Sequence, residues 1–488
     1  MFGAQNTAVW VIIVAILVLM FAVGRAKTAF LGITFVFIYN VASSSLSAFI
    51  CGRIFKLDED WIDAGRQMVI QYSSWALLVM ALAVLVAWWP HKTPQVAPVA
   101  APRSKPNTNT IPSQGWVNPT MIGFMGALGL VCMIGSTFVV HIPTFGSAVS
   151  IFAGLLKVSI LLAALHARKT RTYKFFLVTL LIFLPISIFN TLRSGFTPIS
   201  TDLAIPLIAV LAFHRGINLP SLIVIVIAIP LFAHLMTAWL SVRGTIRSGA
   251  LKNLPITVQA STFLSDMGNE LMVKKHNPVE VQNQLFERID MTDLLAQQAS
   301  FQPEGEPYQY GMTVVNGLYA LVPRFLWPDK PRVIGYDDFV AKYTGIERQN
   351  GDETAVGVPV EFELYANGGP ICVWLGLFIL TWFCATLERI VFLKPLPFEK
   401  WFPMLMVLVA FMKIVEQITL TTSIALTGAL AAWGIAKYIH SQMPDLYLEL
   451  MGIKPAKLWV GQTDRQPVST TRERPVAEDH APAQKGAN

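Results

Sequence analysis

Apolar stretches long enough to cross a bilayer recur along the chain, separated by short polar connections. They are predicted near residues 8–23, 29–51, 70–89, 119–140, 147–166, 175–190, 198–213, 221–240, 367–386, 401–416 and 420–438. A helix needs about 20 residues to cross a hydrocarbon core of about 30 Å. The expected fold class is an all-α polytopic integral membrane protein, with about eleven transmembrane helices. One large, partly helical loop at 241–366 interrupts the pattern.

The connections alternate in charge. Arg25 and Lys27 follow the first stretch, whereas Asp58, Glu59, Asp60 and Asp63 follow the second. Lys92, Arg103 and Lys105 follow the third, and the fourth leads into a short neutral loop. Arg168, Lys169, Arg171 and Lys174 follow the fifth, Arg215 the seventh, and Arg389, Lys394 and Lys400 the ninth. Basic loops remain on the cytoplasmic side. The N-terminus and the large loop are therefore expected outside and the C-terminus inside. The first stretch lacks a basic start and a small-residue cleavage site, so it reads as a retained span.

Composition agrees with the pattern: 54% of residues are hydrophobic and 14% charged, against about 25% charged in soluble domains. The formal net charge of +7 is scattered over short loops, and no nucleic-acid partner is expected. Cys51, Cys132, Cys372 and Cys384 lie in or at the ends of apolar runs without metal-ligand spacing. They read as small buried hydrophobes.

The expected organisation is a three-helix membrane segment at 1–90, a Pro-rich cytoplasmic linker at 91–118 and membrane helices 4–8 at 119–240. The large loop at 241–366 is the candidate catalytic segment, followed by helices 9–11 at 367–440 and a largely disordered cytoplasmic tail at 441–488. No internal repeat is evident, which weakens a transporter reading based on paired halves.

Loops of this length inside compact proteins are usually functional or disordered, and this one is too rich in apolar residues for disorder. Asn277-Pro278 before Glu280 predicts a helix start, continued by Val281, Leu285 and Ile289. The string from Tyr308 to Pro331 contains a helix-like stretch and then Pro323-Arg324 and Trp327-Pro328-Asp329-Lys330-Pro331. Its prolines stiffen the backbone that carries Arg324 and Lys330. Arg offers a planar fork for phosphate oxygens and Lys a point charge. On the residues alone, the same cations beside Trp read first as anchors for lipid headgroups.

A second string, Gly357–Gly369, holds Glu361, Glu363 and Tyr365 just before the ninth apolar stretch. Each glutamate could act as a general base or be a solvated loop carboxylate. Asn367-Gly368-Gly369-Pro370 predicts a turn. Arg193, Arg243 and Arg247 would add to a cationic outer rim. Lys413 and Glu416 near the end of the tenth stretch, and His234 inside the eighth, are ionisable groups at membrane depth. Lys413 and Glu416 read equally as a local pair or snorkelling side chains, and His234 reads as a hydrogen-bonded core histidine rather than a base.

Val322-Pro323-Arg324-Phe325-Leu326-Trp327-Pro328-Asp329-Lys330-Pro331 resembles a stretch of the Wzy-type O-antigen and oligosaccharide repeat-unit polymerases. Glu363-Leu364-Tyr365-Ala366-Asn367-Gly368-Gly369 resembles a second, with Gly368 where an aromatic residue is usual, and Arg193 resembles that family's arginine at an outer-facing turn. The resemblance covers about Arg193 to Gly369. The Pro-rich linker and the long tail are not features of that family.

The resemblance implies a multi-pass protein of the bacterial inner membrane with a periplasmic loop and N-terminus. It implies a metal-independent glycosyltransferase that needs no cofactor. The substrate would be an undecaprenyl-diphosphate-linked oligosaccharide, and a chain-length regulator a possible partner. Arg324, Arg193, Arg243 and Lys330 would face the diphosphate. Glu363 or Glu361 would be the base, and Tyr365 and Trp327 would pack against sugar. An O-antigen ligase shares the donor chemistry and is poorly separated by sequence. A non-enzymatic flippase or exporter would instead line a central cavity with cations.

Overall fold

The computed structural model describes residues 2–26, 33–55, 64–88, 118–139, 149, 151–170, 172–194, 258, 261–262, 265–266, 268–269, 291–319, 322, 327–329, 336–345, 358–394, 396–412 and 418–452. Among the described residues the protein is helical and contains no strand. The helices are α1 (Phe2–Ala26), α2 (Ile33–Phe55), α3 (Ala64–Trp88), α4 (Pro119–Val139), α5 (Leu155–Thr170) and α6 (Lys174–Ser194). There follow α7 (Thr292–Phe301), α8 (Met312–Tyr319), α9 (Tyr336–Thr344), α10 (Val360–Leu393), α11 (Phe398–Met412), α12 (Ile418–Gln442) and α13 (Pro444–Leu450).

Three described stretches are long and apolar enough to cross a membrane: Gly65–Trp88, Pro119–Ser136 and Val360–Phe392. Shorter apolar helical stretches occur at Asn6–Ala22, Val36–Leu46, Ile151–Ala167 and Lys174–Ile186. The apolar stretches expected at 198–213 and 221–240 lie outside the described residues, as do the helix start at Asn277, the acidic loop, His234, Lys413 and Glu416.

α3 is the hub, packed by α1, α2, α7 and α10. α3 and α10 run in the same direction. Trp374 Nε1 donates to the Tyr72 carbonyl at 2.9 Å, and fifteen residues on along both helices Arg389 donates to the Ala87 carbonyl. Beside Arg389, the buried Glu388 accepts from the start of α2: Thr34 Oγ1 at 2.6 Å, Thr34 N at 3.1 Å and Ile33 N at 3.4 Å. The first N–H groups of a helix lack intrahelical partners and carry partial positive charge. Adjacent residues of opposite sign thus cap the positive end of α2 and the negative end of α3.

A second group is formed by α4, α5 and α6 in succession. Gly129 lets α4 and α5 touch: a Cβ there would lie 2.4 Å from the backbone nitrogen of Leu156. Stacked rings join α11 to α4, with Phe398 and Phe402 at 5.2 Å and Phe124 edge-on to both. α12 ends at Gln442, and α13 follows in the stretch expected as the start of a tail. α13 is docked, not loose: Asn118 Nδ2 donates to the Leu450 carbonyl at 3.0 Å and Thr120 bonds Glu449. Tyr447 donates to Glu399 at 3.0 Å and stacks on His440.

Candidate functional site: a folded-back helix arm clamped by the loop

α10 begins at Val360, seven residues before the apolar stretch predicted from 367. It is interrupted where the sequence predicts a turn. Gly368 is extended at φ 174°, and Gly369 has φ 67° and ψ −157°, a combination essentially confined to glycine. A Cβ on Gly369 would also approach the Tyr308 hydroxyl at 2.9 Å.

The break reverses the chain. A Cβ on Gly376 would lie 2.3 Å from Leu364 Cδ2, although in an unbroken helix twelve residues are about 18 Å apart. Residues 360–367 therefore form an arm folded back along the start of the shaft, residues 370–393. This arm carries Glu361, Glu363, Tyr365 and Asn367.

Breaking a helix frees carbonyls, and buried carbonyls need donors. Pro370 has no N–H to offer Ala366, and the non-helical glycines take Asn367 out of register. The loop supplies both partners. Gln309 N donates to the Ala366 carbonyl at 2.9 Å and Tyr310 N to the Asn367 carbonyl at 3.0 Å. The Asn367 side chain extends the clamp. Its Oδ1 accepts from Gly311 N at 2.7 Å, and its Nδ2 donates to Thr313 Oγ1 and the Glu363 carbonyl, each at 2.7 Å.

α7 holds the other side of the arm. Gln298 Nε2 donates to the Phe362 carbonyl at 2.8 Å, and Met291 N donates to the Ser44 carbonyl at 2.7 Å. Arg66 pairs with Asp293. α9 adds Phe339, whose ring lies 5.8 Å from that of Phe362. Burial first, then the nearby Glu306 and Glu363 carboxylates, push the Tyr343 phenol up to about 12. Lys342 pairs with Glu306 at 3.2 Å.

The two glutamates are both buried, at 1% and 0% exposure, so neither is a solvated loop carboxylate. They do not form a pair. Two residues apart on a helix point to nearly opposite sides. Glu361 accepts from Ser44 Oγ of α2 at 2.8 Å and lies in the electrostatic neighbourhood of Tyr72 of α3, whereas Glu363 lies in that of Tyr343 of α9.

Tyr365 is buried between Tyr72 at 5.7 Å and Tyr308 at 6.3 Å. Trp327 is 38% exposed, with its ring edge-on to Tyr319 at 5.5 Å. Arg193 falls in the last turn of α6, its side chain outside the described residues, and Arg243, Arg324 and Lys330 also lie outside them. Among the described residues no group of His, Cys, Asp or Glu is arranged to hold a metal ion.

Ser44, Tyr72 and Gln298 are not singled out by any motif, and Tyr308 enters only as the first residue of the string that ends at Pro331. The available signal for Ser44 was the serine run at 43–45 inside an apolar stretch, because polar groups at membrane depth pair with one another. Gln298 and Tyr308 gave no comparable signal.

The geometry defines a helical protein suited to a membrane, built round a broken, folded-back helix that a long loop clamps. Residues 114–390 match the family described as Domain of unknown function (DUF8712), and the chain belongs to that family. No curated protein and no solved structure matches this chain.

Proposed function

We propose that this protein polymerises undecaprenyl-diphosphate-linked oligosaccharide repeat units into a surface polysaccharide at the periplasmic face of a bacterial inner membrane. The proposed topology has eleven spans by the sequence pattern, with the N-terminus periplasmic and the C-terminus cytoplasmic. The observation that carries the reading is the clamp. The chain that leads into the first resembling stretch, Val322–Pro331, is bound to the second through Gln309, Tyr310 and Gly311 on one side and Ala366 and Asn367 on the other.

In the proposed reaction an acceptor hydroxyl attacks the anomeric carbon of the donor glycan. The new carbon–oxygen bond forms as the bond to the lipid diphosphate breaks, and the proton passes to Glu363 or Glu361. Arg324, Arg193, Arg243 and Lys330 neutralise the departing diphosphate. Glu363 is fully buried, so substrate reaches it only if its surroundings open. Trp327 offers a partly exposed ring to a sugar, whereas Tyr365 is buried against Tyr72 and Tyr308.

The test is the glycan profile of a strain lacking the protein. Loss of polymer with retention of single capped repeat units is expected. Full-length polymer stranded on its lipid carrier would mean a ligase, and repeat units trapped on the inner leaflet a flippase. An unchanged profile would remove the glycan reading.

A further inference from the structure

Glu361 is buried, and its hydrogen-bond partner among the described side chains is a hydroxyl: Ser44 Oγ donates to it at 2.8 Å. Among the described residues no cationic side chain pairs with it. An uncompensated carboxylate in such a place is costly.

A second cost lies beside the first. The Tyr72 hydroxyl is buried, close enough to Glu361 to feel its charge, and has no hydrogen-bond partner among the described residues. Its ring is held against Tyr365, one turn along the arm from Glu361. A buried hydroxyl without a partner is itself destabilising. A single positive occupant between the two side chains relieves both costs.

The chemistry of the set selects the occupant. Every ligand atom is oxygen, which suits hard cations over thiophilic ones. One carboxylate among neutral hydroxyls carries a single negative charge, so a divalent ion would leave a buried positive charge. A proton on Glu361 would neutralise the carboxylate and leave the Tyr72 hydroxyl as it is. Broken helices are settings in which membrane proteins hold small cations.

We propose that Glu361, Ser44 and Tyr72 form a binding site for a monovalent metal cation, Na+ or K+, between the folded-back arm of α10 and helices α2 and α3. The ion ties the arm to both helices and so fixes the segment that carries Glu363 and Asn367. An ion on Glu361 leaves Glu363 as the base of the proposed glycosyl transfer, and the inference does not depend on that transfer.

The test uses the full-length protein in nanodiscs, freed of Na+ and K+ in choline chloride at pH 8. NaCl or KCl then replaces choline at constant ionic strength while Tm is followed. Tm should rise saturably with one or both metal ions. Glu361→Gln should abolish the rise, and Tyr72→Phe should raise the half-saturating concentration by about tenfold, the effect of losing roughly 1.4 kcal/mol of binding. Tyr72→Phe gives a sign test, because removing a hydroxyl with no partner stabilises an empty site and weakens a filled one.

A Tm indifferent to both salts overturns the proposal. So does a Tm that responds to pH alone, which would make the occupant a proton. Should Glu361→Gln fail to fold, Tyr72→Phe decides: equal or greater stability than wild type in every salt also overturns it.

Discussion

Leu364 lies against Gly376, twelve residues further along the same helix, because the glycine pair at 368–369 folds the chain back on itself. A side chain at 376 larger than hydrogen meets Leu364 directly. Gly376→Val should destabilise the protein by about 1–3 kcal/mol through overpacking. Adding Leu364→Ala should recover part of that loss. Additive Tm changes in the two single variants and the double variant would show that arm and shaft are not in contact.

Asn367 joins the arm to the loop through its side chain and its carbonyl. Asn367→Asp keeps the acceptor for Gly311 N and removes the donors to Thr313 and the Glu363 carbonyl. Asn367→Ala removes all of these side-chain bonds. Loss of stability should be about 1–3 kcal/mol for each buried group left unsatisfied, larger for Ala. Limited proteolysis should then cut near 302–312 faster than in wild type. Unchanged cleavage rates would remove the clamp from the account.

Glu388 caps the start of α2 through Thr34 and Ile33. Glu388→Gln preserves shape but not charge, and should cost up to about 2 kcal/mol. Glu388→Ala also leaves buried N–H groups without acceptors and should cost more. A Glu388→Ala protein as heat-stable as wild type would mean the cap carries no weight.

Tyr343 gives a pH signature. Its phenol titrates at about 12 in the folded protein and at about 10 when unfolded. Its contribution to stability is complete below pH ~10 and is lost as pH rises towards 12, at up to roughly 1.4 kcal/mol per pH unit. Tyr343→Phe should therefore show a shallower alkaline fall in stability than wild type. An identical fall would place the responsible groups elsewhere.

The proposed chemistry stands or falls with Arg324 and the glutamates. At equal protein level, Arg324→Ala should shorten or abolish the polymer, and Glu363→Gln should reduce it by about 100-fold or more, the usual scale for a general base. Normal chain length in Arg324→Ala would end the diphosphate role. Activity in both Glu361→Gln and Glu363→Gln would put the base elsewhere.

Much of the helical architecture was written in local pattern. Long apolar stretches leave a chain few options other than helices. Asn367-Gly368-Gly369-Pro370 announced a break because proline lacks an N–H and glycine tolerates the backbone angles that a break needs. Helix α8 was likewise legible within the Tyr308–Pro331 string.

Only tertiary structure decided where the break leads. Residues 360–366 read as loop because a short stretch with two glutamates has no strong apolar period. They become a buried helical arm because α2, α3, α7 and α9 enclose them and the loop satisfies their carbonyls. Spacing alone could not tell that Glu361 and Glu363, neighbours in sequence, answer to different helices. That separation, and the meeting of Tyr72 with Tyr365, come from contacts between segments far apart along the chain, which local sequence does not encode.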